Sequence, residues 1–336
     1  MTALLIVEQP GAGVTAQDFG RKNYRKIGVP VGGALDPALR AAANLLAGAA
    51  EDAAGLEILL AAPTLRVETG SLRLGLAGDL TGLLTRANGE QRRMASWRGL
   101  VLRAGDVLAL RLARGPAYLG FSGGLDLSLV LGARATFAPA GFGGLNGRAL
   151  AKSDLLTCAA AEGRDFSAPP FAHERGPIRF IPGPQTDRFS PDSLDRFAAQ
   201  DWRVGADSDR MGMRLAGRPL THGPAGANIV SDGVTPGAIQ VPGDGQPIVL
   251  RADCQTSGGY AKIGGVISAD LGRLAHCLPG DIIRFAPVDH EEAAEARKGL
   301  RKNFALWRAG VAPTGEEWDQ GRLWSENLIS GATSGD

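Results

Sequence analysis

The chain has 336 residues, with 36 Lys and Arg against 35 Asp and Glu, so its net charge is only +1. That balance excludes the electrostatic footprint of a nucleic-acid binder, and every apolar run is far shorter than a membrane-spanning helix. Its 48 glycines are about twice the usual share and aromatics make up only 6% of residues, which favours turn-rich β structure over helical bundles. Three scattered cysteines, Cys158, Cys254 and Cys277, contain no CxxC pair, so a reduced, cytoplasmic protein without disulfides or zinc is expected. The N-terminus lacks a basic region and a cleavage site and reads as a first strand over residues 4–7, not as a signal peptide.

A polar loop follows, containing Gln17, Asp18 and Arg21, and then Tyr24, Arg25 and a turn near Pro30. Asp36 is a good N-cap, Pro37 suits the first helical position and Gly48 suits the end, so residues 38–46 are predicted to be helical. Strands are expected at 56–60, 65–68, 72–77, 83–86, 107–112 and 118–121, with a hairpin at Asn88-Gly89. Residues 102–110, 150–156 and 278–285 share a tight turn ending in Asp before an apolar strand. That echo reflects either common turn chemistry or two related β-barrel units, closing near Cys158 and Phe285. Charged, aperiodic residues 162–176 read as the linker.

Beyond it, strands are predicted at 178–181 and 202–204, with a short helix starting at Ser190-Pro191. The stretch from Asn228 to Gly265 holds strands at 238–241 and 247–250 around a glycine-bearing loop, then Gln255-Thr256-Ser257-Gly258-Gly259-Tyr260. Ser268 is expected to cap a helix carrying Leu271 and Leu274. Ala293, Ala296, Leu300, Phe304 and Trp307 recur at helical spacing, predicting an amphipathic helix that packs on its own domain. Residues beyond Gly331 are expected to fray. The organisation is thus a mainly β chain with a first barrel unit over 1–165, a second over 176–288, and a helix and tail over 289–336.

Gly120-Phe121-Ser122-Gly123-Gly124 matches a nucleophile-elbow string, but no helix start follows it, so a serine hydrolase is disfavoured. No Walker or Rossmann fingerprint is present, and the glycine-rich run ending at Arg148 lacks a following helix to cradle phosphate. His173, His222, His276 and His290 show no ligand spacing, so no metal site is expected. Two polar constellations remain. One contains Gln17, Asp18, Arg21, Tyr24 and Arg25. The other contains Asp209, Arg210, Arg214, Gln255, Thr256, Tyr260 and Lys262. Their Arg and Lys groups suit a carboxylate or phosphate, or else serve as salt-bridged loop anchors.

The strings Gln17–Arg21, Gly28–Pro37, Ser208–Gly212, Pro236–Pro242 and Gln255–Tyr260, with the terminal Glu326–Gly331, resemble one family. It is variously called allophanate hydrolase subunit 2, the biotin-dependent carboxyltransferase family, and the C subunit of bacterial 5-oxoprolinase. The resemblance implies cyclophilin-like β-barrels and partners like the B and A subunits of that enzyme. In 5-oxoprolinase such an assembly opens 5-oxoproline to glutamate with ATP. In urea carboxylase the related region moves carboxylate from carboxybiotin to urea, and some relatives resemble antagonists of a sporulation-kinase inhibitor. It further implies catalytic roles for Asp209, Arg210, Gln255 and Lys262. Gln17, Asp18, Arg21, Tyr24, Gln240, Thr256, Gly258, Gly259 and Tyr260 would bind a small amide. Replacing Gln255 or Arg210 by Ala is expected to remove turnover while leaving the fold intact. Ala261, Gly264-Gly265, Gly272 and His276-Cys277 depart from the family's pattern. No amidase Ser-Lys arrangement is evident, so the older allophanate hydrolase name does not imply amidase activity.

Overall fold

A computed structural model of the chain describes residues 1–314. The resemblance at Glu326–Gly331 and the frayed end beyond Gly331 lie outside the described residues. Two strands of 15 residues, Ser71–Thr85 and Val107–Phe121, form the spine of the first sheet. They pair antiparallel from Leu74↔Phe121 to Thr85↔Val107. The sequence pattern breaks each of them in two, at Gly78-Asp79 and at Gly115-Pro116. The structure carries both through, because register shifts at Ala77/Asp79 and Asp79/Leu80 absorb the irregularity as a bulge. Strands Gln91–Ala95 and Arg98–Arg103 join the same sheet across the Asn88-Gly89 turn, where Gly89 N donates to Arg86 O. Strand Ala12–Gln17 also belongs here, so Gln17 ends a strand paired with Gly55 rather than opening a loop. Alternate apolar residues of this eleven-stranded sheet, among them Leu5, Val7, Leu56, Ile58, Leu74 and Phe121, fill the first core.

Helix α1 (Pro37–Leu46) is capped as its sequence requires: Asp36 accepts from Ala38 N and Leu39 N. It lies unusually close to the sheet. An ideal Cβ at Gly75, Gly99 or Gly120 would fall 1.9, 1.9 and 2.3 Å from the Ala43, Leu46 and Ala43 carbonyl oxygens. Three adjacent strands therefore present a glycine floor on which the helix backbone rests, and part of the glycine excess has this packing role.

The second sheet has eight strands, running Ile282–Ile283, Trp202–Val204, Gly212–Ala216, Ile248–Leu250, Ala238–Gln240, Lys262–Val266, Ile178–Pro182 and Phe285–Pro287. Its two end strands are separated in sequence by Arg284 alone, so the sheet must curl until its edges nearly meet. The resulting near-closed barrel is filled by Phe180, Phe197, Trp202, Met213, Val249 and Phe285. The fold is mainly β, as expected.

Helix α2 (Ser193–Ala199) begins three residues after Ser190, whose hydroxyl bonds Asp192 and Ser193. Helix α3 (Leu271–Ala275) begins after Asp270, not Ser268; Asp270 is fully buried and pairs with Arg179 and Arg273. Helix α4 (His290–Ala309) carries a reciprocal capping box between Asp289 and Glu292. Its first half borders the second sheet near Pro182, while Leu300, Phe304 and Trp307 pack with α1, Trp97 and Phe171. The helix therefore bridges the two sheets. Residues 166–167 of the expected linker also extend the first sheet, pairing with Arg98-Gly99 and with Ala312–Pro313. Among the described residues, no helix is long and apolar enough to cross a membrane.

Candidate functional site

Two polar clusters stand out, one between the units and one at the side of the second barrel. The first is centred on Arg210, in the turn preceding strand Gly212–Ala216. Its Nε and Nη2 donate to both oxygens of Asp253, at 2.8 and 2.9 Å. Nη2 also donates to Gly33 O at 2.6 Å, and Nη1 donates to Glu57. Glu57 is fully buried on strand Gly55–Ala61 and accepts from Leu35 N and the Tyr118 hydroxyl, both at 2.7 Å. Tyr118 in turn accepts from Asp36 N at 2.8 Å. Burial alone would weaken the Arg210 cation, but Glu57 and Asp253 hold its proton above the ordinary arginine range. Burial, then the Glu57 charge, pushes the Tyr118 hydroxyl well up. This is the geometry of a buried tie between units.

The second cluster is built on neighbouring strands. Gln240 and Lys262 are register partners on Ala238–Gln240 and Lys262–Val266. Gln240 is 2% exposed, and its Nε2 has no hydrogen-bond partner. Its Oε1 faces Gln255 Nε2 at 3.5 Å. A Cβ at Gly258 would lie 2.3 Å from Gln240 Nε2, so only glycine lets strand Ser257–Tyr260 cover the amide. Lys262 Nζ meets Asp232 at 2.8 Å; the lysine side chain is 8% exposed, the aspartate 55%. Lys262 also lines a cleft of about 730 Å³, walled by residues 182–184, residues 264–268 and the first half of α4. Lys262 thus faces this cleft, whereas the Gln240 amide is buried beneath strand Ser257–Tyr260.

Comparison with known proteins places this architecture. The family described as "Carboxyltransferase domain, subdomain A and B" matches residues 27–287. The chain belongs to that family. It is 37% identical over 316 residues to the 5-oxoprolinase C subunit of Escherichia coli, covering 91% of this chain and 98% of that one. To the 5-oxoprolinase C subunit of Haemophilus influenzae it is 34% identical, covering 84% and 91%. The crystal structure of the Kluyveromyces lactis urea amidolyase superposes with a TM-score of 0.80 at 28% identity, over 93% of this chain. The chain spans about a fifth of that much longer protein, 21%.

Within this carboxyltransferase-domain chain, the residues expected at the site fall into separate places. Gln240, Gln255, Lys262 and Gly258 meet in the second cluster. Thr256 stands beside them, its carbonyl accepting from Val234 N at 3.1 Å, while Gly259 and the 42%-exposed Tyr260 continue on the outer hairpin. Arg210 lies in the tie. Asp209, next to it, is exposed and closes its own turn, accepting from Met211 N and Gly212 N.

Gln17, Asp18 and Arg21 are buried in the first unit. Gln17 donates to Thr15 Oγ1 and Thr136 O; Asp18 accepts from Gly20 N and Arg134 N; Arg21 donates to the Val130 and Ala135 carbonyls. Burial lowers the Arg21 pKa, with Asp18 and Asp253 opposing, so Asp253 links electrostatically to both Arg21 and Arg210. Tyr24 precedes the short turn Arg25–Ile27, and Arg25 reaches the Cys254 thiol, which burial pushes up to about 11. Glu57, Tyr118, Asp253 and the Asp36–His173–His276 group were missed by sequence reasoning. A lone acid inside the apolar run Gly55-Leu56-Glu57-Ile58-Leu59 was the one local signal available.

Proposed function

We infer that this chain is the C-type subunit of a 5-oxoprolinase-type assembly, acting with B-like and A-like partner subunits. The observation carrying this reading is the 37% identity spread over 98% of the Escherichia coli C subunit. In such an assembly the lactam C–N bond of 5-oxoproline breaks and water adds to give glutamate, while ATP is hydrolysed. On this reading Lys262, which lines the cleft, is the candidate to donate to the lactam oxygen as its carbon becomes tetrahedral, with Gln240 and Gln255 as the buried amides beside it. ATP does not fit the long-helix N-termini of this chain. Asp36 fills that of α1, and Asp289 with Glu292 fills that of α4, so neither end is free for phosphate.

The test is co-expression with B-like and A-like subunits, followed by ATP-dependent release of glutamate from 5-oxoproline. A soluble, fully assembled complex that releases none overturns the reading. The superposition on urea amidolyase favours a second reading, a carboxyltransferase that discharges carboxybiotin onto a small amide. Carboxybiotin discharge dependent on urea or a related amide, with no glutamate release, would establish it.

A further inference from the structure

Asp36, His173 and His276 are far apart in sequence and converge where α1 begins. His173 Nε2 and His276 Nε2 lie 2.6 and 2.9 Å from the same oxygen, Asp36 Oδ2. We propose that these three side chains form a binding site for a divalent first-row transition metal ion, zinc or ferrous iron, open to the cleft between the two units.

Two imidazoles and one carboxylate are a donor set suited to these ions, and three protein ligands leave coordination positions free. Two further observations favour a built site over a chance contact. Asp36 is fully buried and its other oxygen is fixed by Ala38 N and Leu39 N, while its backbone N–H donates to Tyr118, so the carboxylate cannot turn away. Gly272 is the second residue of α3. A Cβ there would lie 2.9 Å from Asp36 Oδ1 and 3.1 Å from His173 Cε1, so glycine keeps this space open.

The geometry needs little adjustment. Ligand atoms around a tetrahedral zinc stand about 3.3 Å apart, so the two Oδ2···Nε2 separations need to open by under 1 Å. The His276 side chain, 34% exposed at the end of α3, has freedom to move. Both histidines line a cleft of about 1290 Å³ that also holds Arg114, Arg273 and Arg284. These arginines are already paired with Asp281, Asp270 and Asp201, so the open positions would take water.

The experiment uses the full chain, stripped with chelator and titrated separately with Zn²⁺, Fe²⁺ under anaerobic conditions, and Co²⁺. Bound metal is read by elemental analysis and calorimetry, and Co²⁺ also by its visible d–d absorption. About one equivalent of metal is expected. His276→Ala and His173→Ala should each weaken binding at least tenfold, since loss of even a supporting partner costs 10–100-fold. Gly272→Ala should weaken it while retaining all three ligands, and Cys277→Ser should leave it unchanged. Absence of saturable binding by all three ions overturns the proposal. So does stoichiometric binding that survives the two histidine variants or is lost with Cys277. Circular dichroism on each variant separates lost binding from lost fold.

Discussion

Replacing Arg210 by Ala removes the only cation that touches both Glu57 and Asp253 by hydrogen bonds among the described residues. Those carboxylates are 0% and 4% exposed at their side chains, so neither can rehydrate in the folded state. Four hydrogen bonds are lost, one of them to the Gly33 carbonyl of the first unit. Leaving a buried partner unpaired costs about 3–5 kcal/mol, which corresponds to an unfolding midpoint lower by roughly 5–15 °C for a chain of this size. The expectation that this variant keeps its fold intact is thus replaced by one of marked destabilisation. Thermal unfolding by circular dichroism measures it. Glu57→Gln combined with Arg210→Ala should cost less than the sum of the two single changes, since they share one network. A midpoint within about 2 °C of the parent, with activity of the assembly abolished, would refute the tie and return Arg210 to a catalytic role.

Gln255→Ala and Lys262→Met should each lower glutamate release by the assembly at least tenfold while shifting the unfolding midpoint by no more than a few degrees, read by coupled glutamate assay and calorimetry. Gly258→Ala places a methyl group against Gln240 Nε2 and should lower activity similarly without replacing any polar side chain. Gly120→Ala drives a Cβ into the Ala43 carbonyl and should leave little soluble protein, measured by expression yield. Burial would raise the Asp270 carboxyl, but hydrogen bonds from Arg179 outweigh it and hold the pKa below its ordinary value of 3.8. The stabilisation is therefore complete above that value and is lost as pH falls through the lower folded pKa. Asp270→Asn should show a flatter decline in urea-unfolding stability over this acidic range than the parent.

Local chemistry was legible where the partner lies nearby. Asp36-Pro37 announced α1, Asn88-Gly89 announced its hairpin, and the 3–4 spacing of Leu300, Phe304 and Trp307 announced α4. Failures arose where the second partner is remote. Gly78-Asp79 and Gly115-Pro116 resemble strand ends, yet each is carried by the facing strand, whose pairing absorbs the irregularity. Ser268 was expected to cap α3, but the helix begins after Asp270, whose side chain makes no cap bond and is committed to Arg179, 91 positions away. Arg210 and Glu57 are separated by 153 positions, and His276 and Asp36 by 240. No periodicity or spacing rule reaches across such distances. The family resemblance identified the strings that matter, but not which buried salt bridges they form and which face a cleft.

The two clusters are joined by the shortest possible route. Asp253 anchors Arg210 between the units, and Gln255, two residues on, meets Gln240 on the second barrel. Cys254 between them is fully buried, and Asp253 N and Cys254 N are bonded to the Arg210 and Arg251 carbonyls. Little slack exists in this segment. A displacement of the first unit that pulls Glu57 and Gly33 away from Arg210 must act on Asp253, and hence on the position of Gln255. A B-like partner that clamps the two units could therefore sharpen the Gln255–Gln240 contact, now 3.5 Å, without touching either amide. If the proposed site around Gln240, Gln255 and Lys262 holds, the tie between the two sheets would help to position it.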